Sequence, residues 1–62
     1  MRRYLIVWMS MRGKWHVEDN HSAASALTWM REIEAADFHV IDQRHGYTVR
    51  AETLREEVAR GV

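Results

Sequence analysis

Residues 4–19, YLIVWMSMRGKWHVED, decide the architecture. Tyr4 to Met11 is rich in β-branched and aromatic side chains and is punctuated by Gly13, so it reads as a strand. Lys14 to Asp19 sets Trp15 and Val17 among polar residues, the alternation of a half-buried strand. A two-residue loop at Arg12-Gly13 joins the two as a hairpin, opposing Trp8 to Val17 and Ser10 to Trp15. Arginine is a poor first residue for so tight a loop, which leaves room for a longer one.

Downstream, Ser22 to Ala36 reads as a helix. Ala23, Ala26, Leu27, Met30 and Ile33 recur at three- and four-residue spacing and form one apolar stripe. Asp19, Asn20 or Ser22 supplies the N-cap. Phe38 to Gln43 starts a second hairpin, His45-Gly46 turns it, and Tyr47 to Ala51 returns. Thr53 followed by Glu56 is a capping box that opens a short last helix, with Leu54 and Val58 on one face and Gly61 as its stop. The expected fold is α+β in the order ββαββα. It is a small antiparallel sheet from two hairpins, with one long helix packed on one face and a short C-terminal helix. Residues 1–62 form a single domain, with no proline-rich or low-complexity linker.

Because successive strand residues point to opposite sides, the faces can be counted. Tyr4, Ile6, Trp8, Trp15 and Val17 of the first hairpin, with Phe38, Val40, Tyr47 and Val49 of the second, match the helical stripe and make the expected core. Leu5, Val7, Met9, Met11 and Ile41 are left on the other side. One long helix does not cover both faces. An apolar patch of this kind marks a contact surface, and methionine suits it because it repacks around varied partners. The second face is therefore expected to meet another protein, a copy of this chain or a foreign target. The alternative is that the C-terminal helix folds over it.

Composition narrows the function. Nine basic and nine acidic side chains cancel, which argues against a general nucleic-acid binder. The longest apolar run, Tyr4 to Met9, is far below the roughly 20 residues that span a bilayer, so no membrane is expected. Arg2 and Arg3 precede that run, but Arg12 and Lys14 follow at once without a small-residue cleavage site, which excludes a signal peptide. There is no cysteine, so disulfides and thiolate metal sites are excluded and a reducing, cytoplasmic setting is expected. At this length a core is marginal and a second subunit or partner is the expected support.

His16, His21, His39 and His45 lack the paired spacing of a zinc motif, and no metal or cofactor is expected. No nucleophile elbow and no glycine-rich phosphate loop occurs, so no catalytic residue is assigned and the chain is expected not to be an enzyme. Arg2 and Arg3 lie at one end of the first strand and Arg12 and Lys14 at the other, about 30 Å apart, as two clusters and not one patch. Residues 21–42 hold one base and four acids, a net charge of −3. Glu32, Glu34 and Asp37 fall at the end of the long helix, where negative charge opposes the helix dipole. Trp29, off the main stripe, stands beside them as a contact candidate.

The expected function is a small non-enzymatic protein-binding modulator that acts by covering a surface of a larger complex. Very short bacterial or phage proteins, anti-CRISPR proteins among them, often act as such inhibitors, and the arginine-over-lysine bias fits a GC-rich source of that kind. Its partner-binding residues are Leu5, Val7, Met9, Met11 and Ile41 for an apolar contact, and Trp29, Glu32, Glu34 and Asp37 for an acidic one. The alternatives are a nucleic-acid-binding accessory protein using Arg2, Arg3, Arg12, Lys14 and exposed aromatics, and a structural homodimeric subunit.

Overall fold

The computed structural model describes residues 3–61. Its elements are β1 (Tyr4–Ser10), β2 (Trp15–His21), α1 (Ala23–Glu32), β3 (Ala35–Asp42), β4 (Thr48–Val49) and α2 (Ala51–Ala59). The α+β class and the ββαββα order are those expected. The four strands form one antiparallel sheet in the order β2-β1-β3-β4, so the first strand lies inside and β2 and β4 are its edges.

The first hairpin differs from expectation by one residue. The Gly13 amide donates to the Ser10 carbonyl at 2.9 Å and the Ser10 amide to the Lys14 carbonyl at 2.8 Å. The loop is therefore Met11-Arg12-Gly13, with Gly13 at φ +88°, a conformation glycine takes without a Cβ clash. Three-residue loops of this kind end in a glycine bulge. Trp8 now faces His16, Val7 faces Val17 and Met9 faces Trp15. A one-residue change of register turns a strand over. Trp15 and Val17, expected in the core, lie on the opposite side of the sheet and are 51% and 61% exposed. Tyr47, also expected inside, is exposed and stacks on His45.

The core is built from Tyr4, Ile6 and Val40 of the sheet, Ala23 and Ala26 of α1 and Leu54 of α2. Two alanines on the inner face of α1 let its backbone come close to the strands. Trp8, Leu27, Trp29, Met30, Phe38 and Val49 pack around this centre. Leu54 belongs to the same cluster as α1, so both helices cover one face. The alternative in which the last helix crosses to the second face is corrected: among the described residues no helix lies there.

Helix ends also differ. Ser22 caps α1 as one of the expected candidates, its Oγ accepting the Ser25 amide at 3.1 Å. The helix stops at Glu32, with Ile33 in extended conformation (ψ 132°), four residues before the expected end at Ala36. Ala35 is drawn into β3 opposite Ser10 of β1, so sheet pairing overrides the helical preference of the two alanines. β4 is shorter than expected, and α2 begins at Ala51 with Arg50 in the cap position and no side-chain cap bond, so the Thr53 capping box is not used. Gly61 takes φ +76° and donates to the Val58 carbonyl, the expected stop.

Leu54 is the strictest reporter of this arrangement, being fully buried in a helix otherwise rich in charge. Leu54→Ala is expected to cost about 2–5 kcal/mol, most of the stability of so small a domain, as measured by urea unfolding. A loss under about 1 kcal/mol would place α2 away from the core.

Candidate contact face

With both helices on one side, the other side of the sheet is bare. Alternation along the paired strands puts Leu5, Val7 and Met9 of β1, Trp15 and Val17 of β2, Asp37, His39 and Ile41 of β3 and Thr48 of β4 on it. The rows follow from the register. Met9 lies between Trp15 and Asp37, Val7 between Val17 and His39, and Leu5 beside Ile41. The centre is aliphatic and half-buried by its neighbours, whereas Trp15, Val17 and, at the hairpin tip, Met11 stand out; Met11 is 66% exposed. The Trp15 and His39 rings stack at 6.5 Å across Met9 and Val7, and His39 Nε2 meets the Asp37 carboxylate at 3.1 Å. This face is thus a continuous apolar surface with one polar corner.

Four of the expected contact residues, Leu5, Val7, Met9 and Ile41, come together here, with Met11 at the tip. Asp37 joins them on the face. Trp29 and Glu32 do not: they line a groove of about 250 Å³ with Thr28 and Ile33 on the helical side. That volume is smaller than the roughly 300 Å³ at which small-molecule sites begin. Trp29 is half-buried, tilted against Trp8 at 6.4 Å and against His21 at 5.4 Å. Glu34 is exposed in the link between α1 and β3. Because α1 ends at Glu32, only that carboxylate opposes the helix dipole. His39 lies on this face as expected, whereas Trp15 and Val17 are the face residues that sequence reading placed in the core. The signal for them was Arg12, unsuited to a two-residue loop.

The histidines separate as well. His16 stacks on Trp8 at 4.3 Å on the helical side, while His39 is on the open face, so the two do not meet across the sheet. A bulge in β2 between Glu18 and His21, with Asn20 at φ 60°, turns His21 back toward α1, where its Nδ1 lies 2.6 Å from Ser25 Oγ. Among the described residues no group of three or more His, Asp or Glu side chains is arranged to hold a metal ion.

The basic residues also divide. Arg2 lies outside the described residues. Arg3 is largely buried and engaged: its guanidinium donates to Glu57 and, at 2.9 Å, to the Tyr4 hydroxyl, and its Nε lies 4.0 Å from Asp42. Burial lowers the Arg3 pKa, but Glu57 and the Tyr4 hydroxyl outweigh burial, raise the pKa above the ordinary value and hold the guanidinium firmly charged. Burial likewise pushes the Asp42 carboxyl up, yet the Arg44 amide at 2.8 Å, His45 at 3.2 Å and Arg3 together keep its pKa below the ordinary value. Arg3 is therefore a structural clamp and not a free phosphate ligand.

Compared with protein families, curated proteins and solved structures, the chain matches none significantly. No helix among the described residues is long and apolar enough to cross a membrane.

The lowered Asp42 pKa has a defined sign. The carboxylate's contribution is present above the unfolded value near pH 3.9 and is lost as pH falls through the lower folded value. Asp42→Asn is expected to lower stability at neutral pH by about 1–3 kcal/mol and to flatten the acid limb below about pH 4, followed by urea titration at a series of pH values. An unchanged acid limb would remove Asp42 from the clamp.

Proposed function

We propose that the chain is a small non-enzymatic protein-binding modulator whose contact surface is the open face of its sheet. The observation that carries this reading is the apolar row Leu5, Val7 and Met9 flanked by Trp15, Val17 and Ile41, with no helix over it among the described residues. Exposed contiguous apolar surface of this kind marks an interaction site. Trp15 supplies a rigid aromatic anchor of the type that dominates interface energy. Aliphatic side chains at the centre favour the apolar surface of a protein over the faces of nucleobases. Asp37 lies on the face and Glu34 in the link that leads into β3 beside it, and as rim charges these two would guide association rate. The narrower form of the proposal is a cytoplasmic inhibitor that occludes a surface of a larger host complex, as short phage proteins such as anti-CRISPR proteins do. It rests on size and on this face.

A second reading has one specific observation behind it. Trp15 and His39 present aromatic rings on an open sheet, with Arg12 and Lys14 in and beside the adjoining loop, which resembles the stacking platforms of sheet-type RNA binders. Asp37 on the same face and the engagement of Arg3 by Glu57 weigh against it.

The test is capture from nuclease-treated bacterial lysate by the wild-type chain and by variants. Trp15→Ala combined with Met9→Lys is expected to weaken a stoichiometric protein complex at least tenfold, whereas Arg55→Glu on exposed α2 leaves it unchanged. Equal capture by the face variant would overturn the open-face reading. Partners that vanish with nuclease, and binding that falls steeply with salt, would move the assignment to nucleic acid.

A further inference from the structure

β2 is an edge strand with a hydrogen-bonded neighbour on one side only. The bond from the Ser10 amide to the Lys14 carbonyl fixes the phase of its backbone. With Trp8 opposite His16 and Ile6 opposite Glu18, His16 and Glu18 turn their amides and carbonyls toward β1. Trp15 and Val17 must therefore turn theirs outward, away from the sheet. The opposite edge, β4, has two residues and offers no comparable template. A strand edge with unpaired amides and carbonyls pairs readily with another chain.

We infer that two copies of the chain join along β2, antiparallel about a two-fold axis between their His16 residues, and merge two four-stranded sheets into one of eight. This goes beyond the proposed function, because it uses the edge and not the face. In this register Trp15 of each copy exchanges both backbone bonds with the second copy's Val17. An aromatic side chain is thereby set against a β-branched one on the open face, a favourable cross-strand pair. Lys14 falls opposite the second copy's Glu18, a pair of opposite charge. The neighbouring register, centred on Val17, sets Trp15 against Asp19 and runs the ladder into the bulge at Asn20. The bulge thus selects the shorter ladder. Since each copy offers one usable edge, the assembly closes at two.

Joining also enlarges the contact face. Four strands of up to eight residues cover about 20 by 25 Å in plan, against roughly 800 Å² per partner in a standard interface. Side by side, two faces make a surface of standard size with both Trp15 and both Val17 side chains at its centre.

The chain has no cysteine, so introduced thiols report pairing directly. The two-fold pair at position 16 is of the close, non-hydrogen-bonded kind, with Cα atoms about 4.5 Å apart, within disulfide range. Under mild oxidation, His16→Cys is expected to form a disulfide-linked dimer. Glu18→Cys alone should not, and a mixture of Lys14→Cys and Glu18→Cys should cross-link to each other. Because His16 also stacks on Trp8, a second measurement spares the side chains. In a chemically synthesised chain, N-methylation of Val17 removes only the outward amide. It should weaken dimerisation at least tenfold in sedimentation without changing the circular dichroism of the monomer. A wild-type chain monomeric at every concentration, a dimer indifferent to that methyl group, or preferential linkage through position 18 alone would each overturn the proposal. Binding of a partner by the open face would survive such an outcome, since Met9→Lys tests it without touching the edge.

Discussion

The bond between the Ser10 amide and the Lys14 carbonyl decides which half of β2 meets water. It closes a loop of three residues, and the odd count sends Trp15 and Val17 to the open side and His16 and Glu18 to the helical side. The helical layer then meets an edge of imidazole and indole instead of aliphatic carbon. Trp8 accommodates this by stacking on His16 and leaning on Trp29. The bulge before His21 shifts the phase again, so that this histidine reaches Ser25 and Trp29. A turn at one end of the hairpin and a bulge at the other thus divide its aromatic residues between the helical side and the open face.

Among the described residues six apolar side chains are buried, a thin centre, and charge supplements them. Leu54 and Glu57 lie three apart on α2 and so share a face: the first enters the core, the second takes the Arg3 guanidinium. Arg3 in turn reaches the Tyr4 hydroxyl and the Asp42 carboxylate at the start of the β3–β4 turn. One side chain therefore ties the first strand, the second hairpin and the last helix. Such clamps are weak sources of net stability, because desolvation cancels much of the attraction, but breaking one leaves a buried charge without its partner. Their effect here is to fix where α2 sits, and with it which face stays open.

How much of this was legible follows from the range of each interaction. A helix cap among Asp19, Asn20 and Ser22, the apolar stripe through Ala23 and Ala26 and the element order rest on local spacing and were readable. So was the existence of an uncovered face, because Leu5, Val7, Met9 and Ile41 alternate regardless of their partners. The side taken by Trp15 and Val17 was not, because it depends on one residue of loop length. The end of α1 was misplaced for a different reason. Ile33 keeps the helical spacing while its backbone has already left the helix, and Ala35 is claimed by a strand 25 residues upstream. The pairing of Arg3 with Glu57 spans 54 residues and leaves no periodic trace.

The open face also explains how a marginal domain can present apolar surface and still fold. Leu5, Val7 and Met9 sit on the inner strand β1, where β2 and β3 on either side leave them half-buried before any partner arrives. The side chains most exposed on that side, Trp15, Val17 and Met11, are on the edge strand and its loop, where they contribute little to the core they surround. Folding therefore depends little on these three exposed side chains, and binding there would not require the sheet to be ordered afresh. A surface preformed on strands loses less conformational freedom on association than one built on loops, so a larger share of its apolar contact appears as affinity. That division, in which inner strands hold the fold and an outer strand carries the exposed side chains, would let so short a chain serve as the binding surface proposed for it.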